Sequence, residues 1–98
     1  LKSNVTAVFA VSDFYALEFM SFLQGKNIQI PEDIQIIGFD DNMASRESNP
    51  SLTTIHQEAN LRAKAAIECL EAMRDGAEYK TEIVLPVDLI QRESTRKL

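Results

Sequence analysis

The chain has 98 residues, with ten lysines and arginines against fifteen aspartates and glutamates, for a formal net charge of -5. Hydrophobic residues make up 45 % and charged residues 26 %, which excludes a disordered chain and suits one small globular domain or a piece of a larger one. The acidic balance, with no basic run longer than Arg96–Lys97, excludes a nucleic-acid grip by this segment, because phosphate binding needs clustered cations.

The start, Leu1-Lys2-Ser3-Asn4, is neither an initiator methionine nor a signal peptide, so the chain reads as beginning inside a longer gene product. Thr6-Ala7-Val8-Phe9-Ala10-Val11 is a continuous apolar run and predicts a strand buried on both faces. Ser12-Asp13 follows, and either side-chain oxygen can accept a free N–H at the start of a helix. That helix is expected from about Asp13 to Gly25. Its stripe Ala16, Phe19, Met20 and Leu23 faces a sheet, and Tyr15 and Phe22 widen it. A second line, Leu17, Ser21 and Gln24, with Phe14 beside it, leaves apolar residues on the nominal solvent side. It reads either as scattered surface residues or as a contact with another subunit. Gly25 and Asn27 end the helix in the left-handed manner of those residues.

Ile30-Pro31-Glu32-Asp33 is a turn, and Ile34-Gln35-Ile36-Ile37-Gly38-Phe39 a second strand that runs into Asp40-Asp41. Strand, helix and strand in this order predict a right-handed βαβ unit with parallel strands. Residues 42–53 are polar and read as a long loop, a frequent seat of function. Thr54-Ile55-His56-Gln57 is a short strand or hinge. A helix follows from about Glu58 to Asp75, with Ala59, Ala63, Ala66, Ile67, Leu70 and Met73 on its apolar face and Gly76 as its C-terminal cap. Glu82-Ile83-Val84-Leu85-Pro86 reads as a strand stopped by proline, and Val87 to Arg92 as one more. No apolar stretch is long enough to span a bilayer.

In a parallel α/β sheet, ligands bind beyond the carboxyl ends of the strands. Asp13 and Asp40 stand at two such ends and converge on one edge. Carboxylates there can accept hydrogen bonds from the hydroxyls of a sugar or nucleoside, or hold Mg²⁺. Asp13 also reads simply as a cap, and Asp40-Asp41 as the start of a turn. His56 is the only histidine, so no histidine-pair metal site is available, and a lone histidine reads first as structural. The single cysteine, Cys69, excludes a disulfide framework and reads as buried and inert. With three isolated glycines there is no phosphate loop. No catalytic residue, metal site or cofactor is expected.

Four segments in order resemble those of the LacI/GalR transcriptional repressors. They are Ala7-Val8-Phe9-Ala10-Val11-Ser12-Asp13 with Ala16-Leu17; Ile30-Pro31-Glu32-Asp33-Ile34 with Ile37-Gly38-Phe39-Asp40-Asp41; Pro50-Ser51-Leu52-Thr53-Thr54-Ile55-His56-Gln57; and Leu85-Pro86-Val87-Asp88-Leu89-Ile90-Gln91-Arg92-Glu93-Ser94-Thr95. The resemblance implies a fragment of the periplasmic-binding-protein-like type I fold, in which two Rossmann-like subdomains with parallel sheets and flanking helices clamp a small effector. It implies the C-terminal portion of the effector-binding and dimerisation domain, without the DNA-binding headpiece and most of the N-terminal subdomain. It further implies a cytoplasmic homodimer whose effector is a sugar or similar polar metabolite, and DNA contact only through the headpiece. The alternative with the same fold is a periplasmic sugar-binding protein of a transport system.

Mapped by motif, Asp40, Ser12, Asp13 and Gln57 match effector-contacting or neighbouring positions. Ser12 stands where the family often has asparagine, and Asp13 matches a capping or supporting aspartate. Leu17, Ser21, Gln24, Arg46 and Ser48 match the dimer contact. The helix from Glu58 and the strand at Ile83–Leu85 are implied to pack on the N-terminal subdomain. In this chain they would fold back on the short sheet, swap with another copy, or move.

Overall fold

The structure, a computed structural model, describes residues 5–96, so the Leu1-Lys2-Ser3-Asn4 start and Lys97 lie outside it. The described residues fall into two compact units, one running to His56 and resuming at Asp88, the other Gln57–Val87. No helix among them is long and apolar enough to cross a membrane.

The first unit is built on β1 (Ala7–Phe9), α1 (Asp13–Gly25) and β2 (Gln35–Ile37), and β1 pairs with β2 in parallel, Val8 opposite Ile36. This is the expected βαβ unit. Ala16, Met20 and Leu23 of α1 are buried with Ile30, Ile34, Ile36 and Leu52, and Phe19 packs half-buried beside them. The stripe is narrower than its sequence pattern: Tyr15 and Phe22 point to solvent, and Leu17, from the other line, is half-buried against the core. Asn27, at φ 61, closes the helix: the Ile28 N–H returns to the Leu23 carbonyl and the Asn27 N–H to that of Gln24. That is the paired bonding of a left-handed helix terminus, with asparagine rather than Gly25 in the strained position.

Burial of the first strand on both faces does not hold. Val8 packs on the core, whereas Phe9 is 59 % exposed, because α1 covers one face of the sheet and no described element lies over the other. The polar stretch 42–53 is not all loop. It contains the short helix α2 (Met43–Glu47), started by the Asn42 side chain, which accepts the Ser45 N–H. Asparagine suits that place because its oxygen satisfies a donor the first turn leaves free.

β3 (Thr54–Gln57) runs on from the edge of β2, with the Gly38 N–H bonded to the Thr53 carbonyl and the Asp40 N–H to that of Ile55. β3 neighbours β4 (Val87–Ile90). Just beyond β4, Ser94 is fully buried and closes the gap between β2 and Thr53. Its hydroxyl donates to the Ile36 carbonyl at 2.6 Å and accepts the Thr53 N–H at 2.8 Å. Replacing Ser94 by alanine leaves both backbone groups without that partner in a dry site. The expected loss of stability in urea unfolding is about 2 kcal/mol, since an unsatisfied buried group costs its desolvation.

In the second unit, α3 (Ala59–Arg74) forms as expected and ends at Gly76, φ 70, with the Ala77 N–H returning to the Ala72 carbonyl. Its expected apolar face is not the covered one. Ala65, Cys69 and Ala72 are the half-buried line, lying beside Tyr79, Lys80 and Ile83, and Ile67, Leu70 and Met73 remain exposed. Small side chains at i, i+4 and i+7 let the returning chain approach closely. Cys69 is thus half-buried rather than buried, its thiol 3.8 Å from the Lys80 carbonyl. Residues 82–86 form no strand, for no strand lies beside them to accept their hydrogen bonds.

Candidate functional site

The carboxyl ends of β1 and β2 meet at the edge the sequence singled out. Ser12 starts α1: its backbone is extended and its hydroxyl accepts the Tyr15 N–H at 3.3 Å. The Asp13 N–H bonds the Phe39 carbonyl, which ties the turn after β1 to the turn after β2. Asp13 itself is fully buried. One carboxylate oxygen accepts the Thr54 hydroxyl at 2.5 Å and the other the Asn42 N–H at 2.8 Å. It therefore anchors the loop from beneath, and the helix start is served by Ser12.

Gly38 explains how the two turns come so close. A Cβ on it would overlap an Asp13 carboxylate oxygen and stand 2.8 Å from the Leu52 side chain. Beyond it, Asp40 (φ 119) and Asp41 (φ 56) are consecutive non-glycine residues with positive φ. Such backbone persists only where its surroundings fix it, and it concentrates at binding and switch sites. The Asp40 N–H is held by the Ile55 carbonyl, and its side chain is exposed at the edge.

Asp41 points the other way. Its side chain is 6 % exposed and meets three cationic or ionisable partners: Arg92 at 2.5 Å, the His56 Nδ1 at 3.0 Å and Arg46 at 3.5 Å. The Asp41 N–H also bonds the Thr54 hydroxyl oxygen, which links this cluster to Asp13. Burial by itself pushes the Asp41 carboxyl up, and the Arg92 hydrogen bond and charge, with Arg46 adding, hold it below its ordinary value of 3.8. The unfolded chain thus binds a proton there more readily than the folded one. Ionised Asp41 stabilises the fold above the unfolded value, and the gain disappears as pH falls through the folded value. The melting temperature of the wild type should drop more steeply below about pH 4 than that of Asp41→Asn. Parallel acid profiles for the two proteins contradict this.

The Mg²⁺ reading of Asp40-Asp41 loses its second ligand here, since Asp41 is engaged by cations. Among the described residues no group of three potential metal ligands is found.

Gln57, the last residue of β3, is half-buried and lines a groove of the second unit with Leu61, Arg62 and Leu85. Ser12, Asp13 and Asp40 are brought together within the first unit. So are the residues expected at a dimer contact, because α1 and α2 pack against each other. Ser21, Gln24 and Arg46 are exposed there, Leu17 and Ser48 half-buried. Gln24 reaches the Asn49 carbonyl at 2.9 Å, and the Ser48 hydroxyl that of Pro50.

Sequence reasoning missed Arg92, Thr54, Asn42 and Ser45 as parts of one network. A clue was present in Arg92, a cation at the end of the last expected strand, yet its partner Asp41 is 51 residues away.

Residues 2–95 match the family described as the periplasmic binding protein-like domain. The chain belongs to that family. Its parallel βαβ unit is that of the type I fold of the family. Similar proteins include the ribose operon repressor of Lactococcus lactis subsp. lactis, 38 % identical over 98 % of this chain and 30 % of that protein. The transcriptional repressor PurR of Pasteurella multocida is 39 % identical over 93 % of this chain and 28 % of its own length. Among solved structures, a periplasmic binding protein/LacI transcriptional regulator from Alkaliphilus metalliredigens complexed with D-xylulofuranose is 34 % identical. It aligns with TM-score 0.82 over 94 % of this chain and 35 % of that one. The chain spans about 30 % of the length of the curated relatives it matches.

Proposed function

We propose that this chain is the C-terminal effector-sensing and dimerising portion of a LacI/GalR-type transcriptional regulator. The observation that carries the reading is Asp40, an exposed carboxylate on a strained turn at the carboxyl edge of a parallel sheet, fixed from beneath by Asp13 and Asp41. Such an edge is where α/β folds of this kind take up ligands. An exposed carboxylate offers paired acceptors to vicinal hydroxyls, so the effector is a sugar or a similar polar metabolite. The Ser12 hydroxyl and the Gln57 amide add contacts, and Asp13 serves by holding the loop. The names of the relatives favour a regulator over a transport-binding protein, and a regulator over an enzyme.

Leu17, Ser21, Gln24, Arg46 and Ser48 form the homodimer contact. The protein works in the cytoplasm, and DNA contact belongs to a part of it outside these 98 residues. Effector binding shifts two pre-existing arrangements of the effector domain and so changes operator affinity, through a coupling of the two binding free energies.

Calorimetry of the full-length protein with D-ribose, D-xylulose and cellobiose tests the ligand class. Saturable binding of at least one is expected, and binding of none of them rules out these three sugars as effectors. Sedimentation equilibrium tests the interface. The double substitution Ser21→Arg, Arg46→Glu should turn a dimer into a monomer, and an unchanged dimer contradicts the assigned surface.

A further inference from the structure

We propose that Arg92 is a positioning residue for the effector turn: it clamps Asp41 and thereby holds the left-handed Asp40–Asp41 backbone in the conformation that presents the Asp40 carboxylate. The proposal rests on Asp40 being an effector contact, and it assigns a function to a residue at the other end of the chain.

Two consecutive positive-φ aspartates are held only if neighbouring bonds over-determine them. Two backbone bonds contribute, from the Asp40 N–H to the Ile55 carbonyl and from the Asp41 N–H to the Thr54 hydroxyl. They fix where the backbone starts and ends, but the rotation of Asp41 is set by its carboxylate. Among its three side-chain partners, Arg46 is 59 % exposed at 3.5 Å, the regime in which ion pairs contribute little. His56 offers one ring nitrogen, whose charge depends on pH. Arg92 is different in kind. It is 15 % exposed and 2.5 Å from Asp41, and its other guanidinium nitrogen donates to the Ser45 hydroxyl at 2.9 Å and the Leu52 carbonyl at 3.0 Å. Its own N–H bonds the Thr53 hydroxyl oxygen at 2.8 Å.

The guanidinium is thus a strut fixed at three places: the turn, α2 and the backbone at Leu52 just before β3. Its planar fork can serve all three at once. Lysine offers one point charge in its place and cannot span them. Because Ser45 lies in α2, beside Arg46 and Ser48, the strut also ties the effector turn to the segment assigned to the dimer contact.

Residue-resolved backbone amide hydrogen exchange on the full-length protein tests this. In Arg92→Gln the amides of Asp40, Asp41 and Asn42 should exchange at least about tenfold faster, while those of Met20 and Leu23 in α1 stay within about twofold. Arg92→Lys should leave the same three amides at least about fivefold fast, because charge without the fork does not rescue the turn. Asp41→Asn keeps the Arg92 bonds to Ser45 and Leu52 and should give the same local pattern; it decides the matter if Arg92→Gln does not fold. Acceleration spread evenly over the turn and α1, or none at the turn, overturns the proposal, as does full rescue by lysine. The underlying assignment fails separately: wild-type sugar binding by Asp40→Asn in the full-length protein removes the effector contact, whatever the turn does in exchange.

Discussion

Gly38→Ala should cost about 3 kcal/mol of unfolding free energy, or prevent folding, although it adds one methyl group. The position is not one of unusual backbone. Its constraint is space: the new Cβ would meet a carboxylate oxygen of Asp13 and lie 2.8 Å from a methyl of Leu52 and 3.3 Å from the Asp13 Cα. None of these can yield cheaply. Asp13 is locked by Thr54 and Asn42, the Asp13 Cα belongs to the first turn of α1, and Leu52 is fully buried in the core. Overpacking of a close-packed site forces side chains off their rotamers or the strands apart. Urea denaturation of the purified variant measures the effect, and a loss below about 0.5 kcal/mol shows that the two turns are not in contact as described.

Asp13→Ala should be nearly as damaging, at about 3 kcal/mol, with Asp13→Asn intermediate. Alanine leaves the Asn42 N–H and the Thr54 hydroxyl without their acceptor in a site that excludes water. Asparagine keeps one acceptor oxygen. If that oxygen serves the Asn42 N–H, the amide N–H₂ meets Thr54, whose hydroxyl hydrogen then has no acceptor. One bond of two survives, and its charge-assisted strength is gone. A double-mutant cycle with Thr54→Val should show coupling of about 1 kcal/mol, the signature of two residues acting through one bond. Additive effects would mean that Asp13 and Thr54 contribute independently.

The βαβ unit was legible because its signals are local. An apolar run, a serine cap and a stripe at helical spacing stand in sequence, and each needs only its neighbours to be read. The edge at Ser12, Asp13 and Asp40 followed from the same signals, since parallel strands must end on the same side. Asp13 was ambiguous because a carboxylate at a helix start has two uses. Its burial under Thr54 depends on a residue 41 positions away. Arg92 and Ser94 escaped for that reason as well: hydrogen bonds that cross the fold leave no periodicity in the chain. α2 escaped because five residues capped by Asn42 show no apolar stripe. The expectation of a fully covered β1 failed in the opposite way. Phe9 has the character of a doubly buried strand, and the described residues supply a layer on one side only.

The most direct measurement of the central claim, the proposed effector contact at Asp40, is calorimetric titration of the full-length protein and its Asp40→Asn variant with D-ribose, D-xylulose and cellobiose. This change keeps the size of the side chain and removes its charge and one acceptor. A loss of at least about a hundredfold in affinity, with the melting temperature within a few degrees of wild type, is the expected result for a carboxylate that accepts two hydroxyls. Wild-type affinity in Asp40→Asn contradicts the assignment of this edge as the effector site.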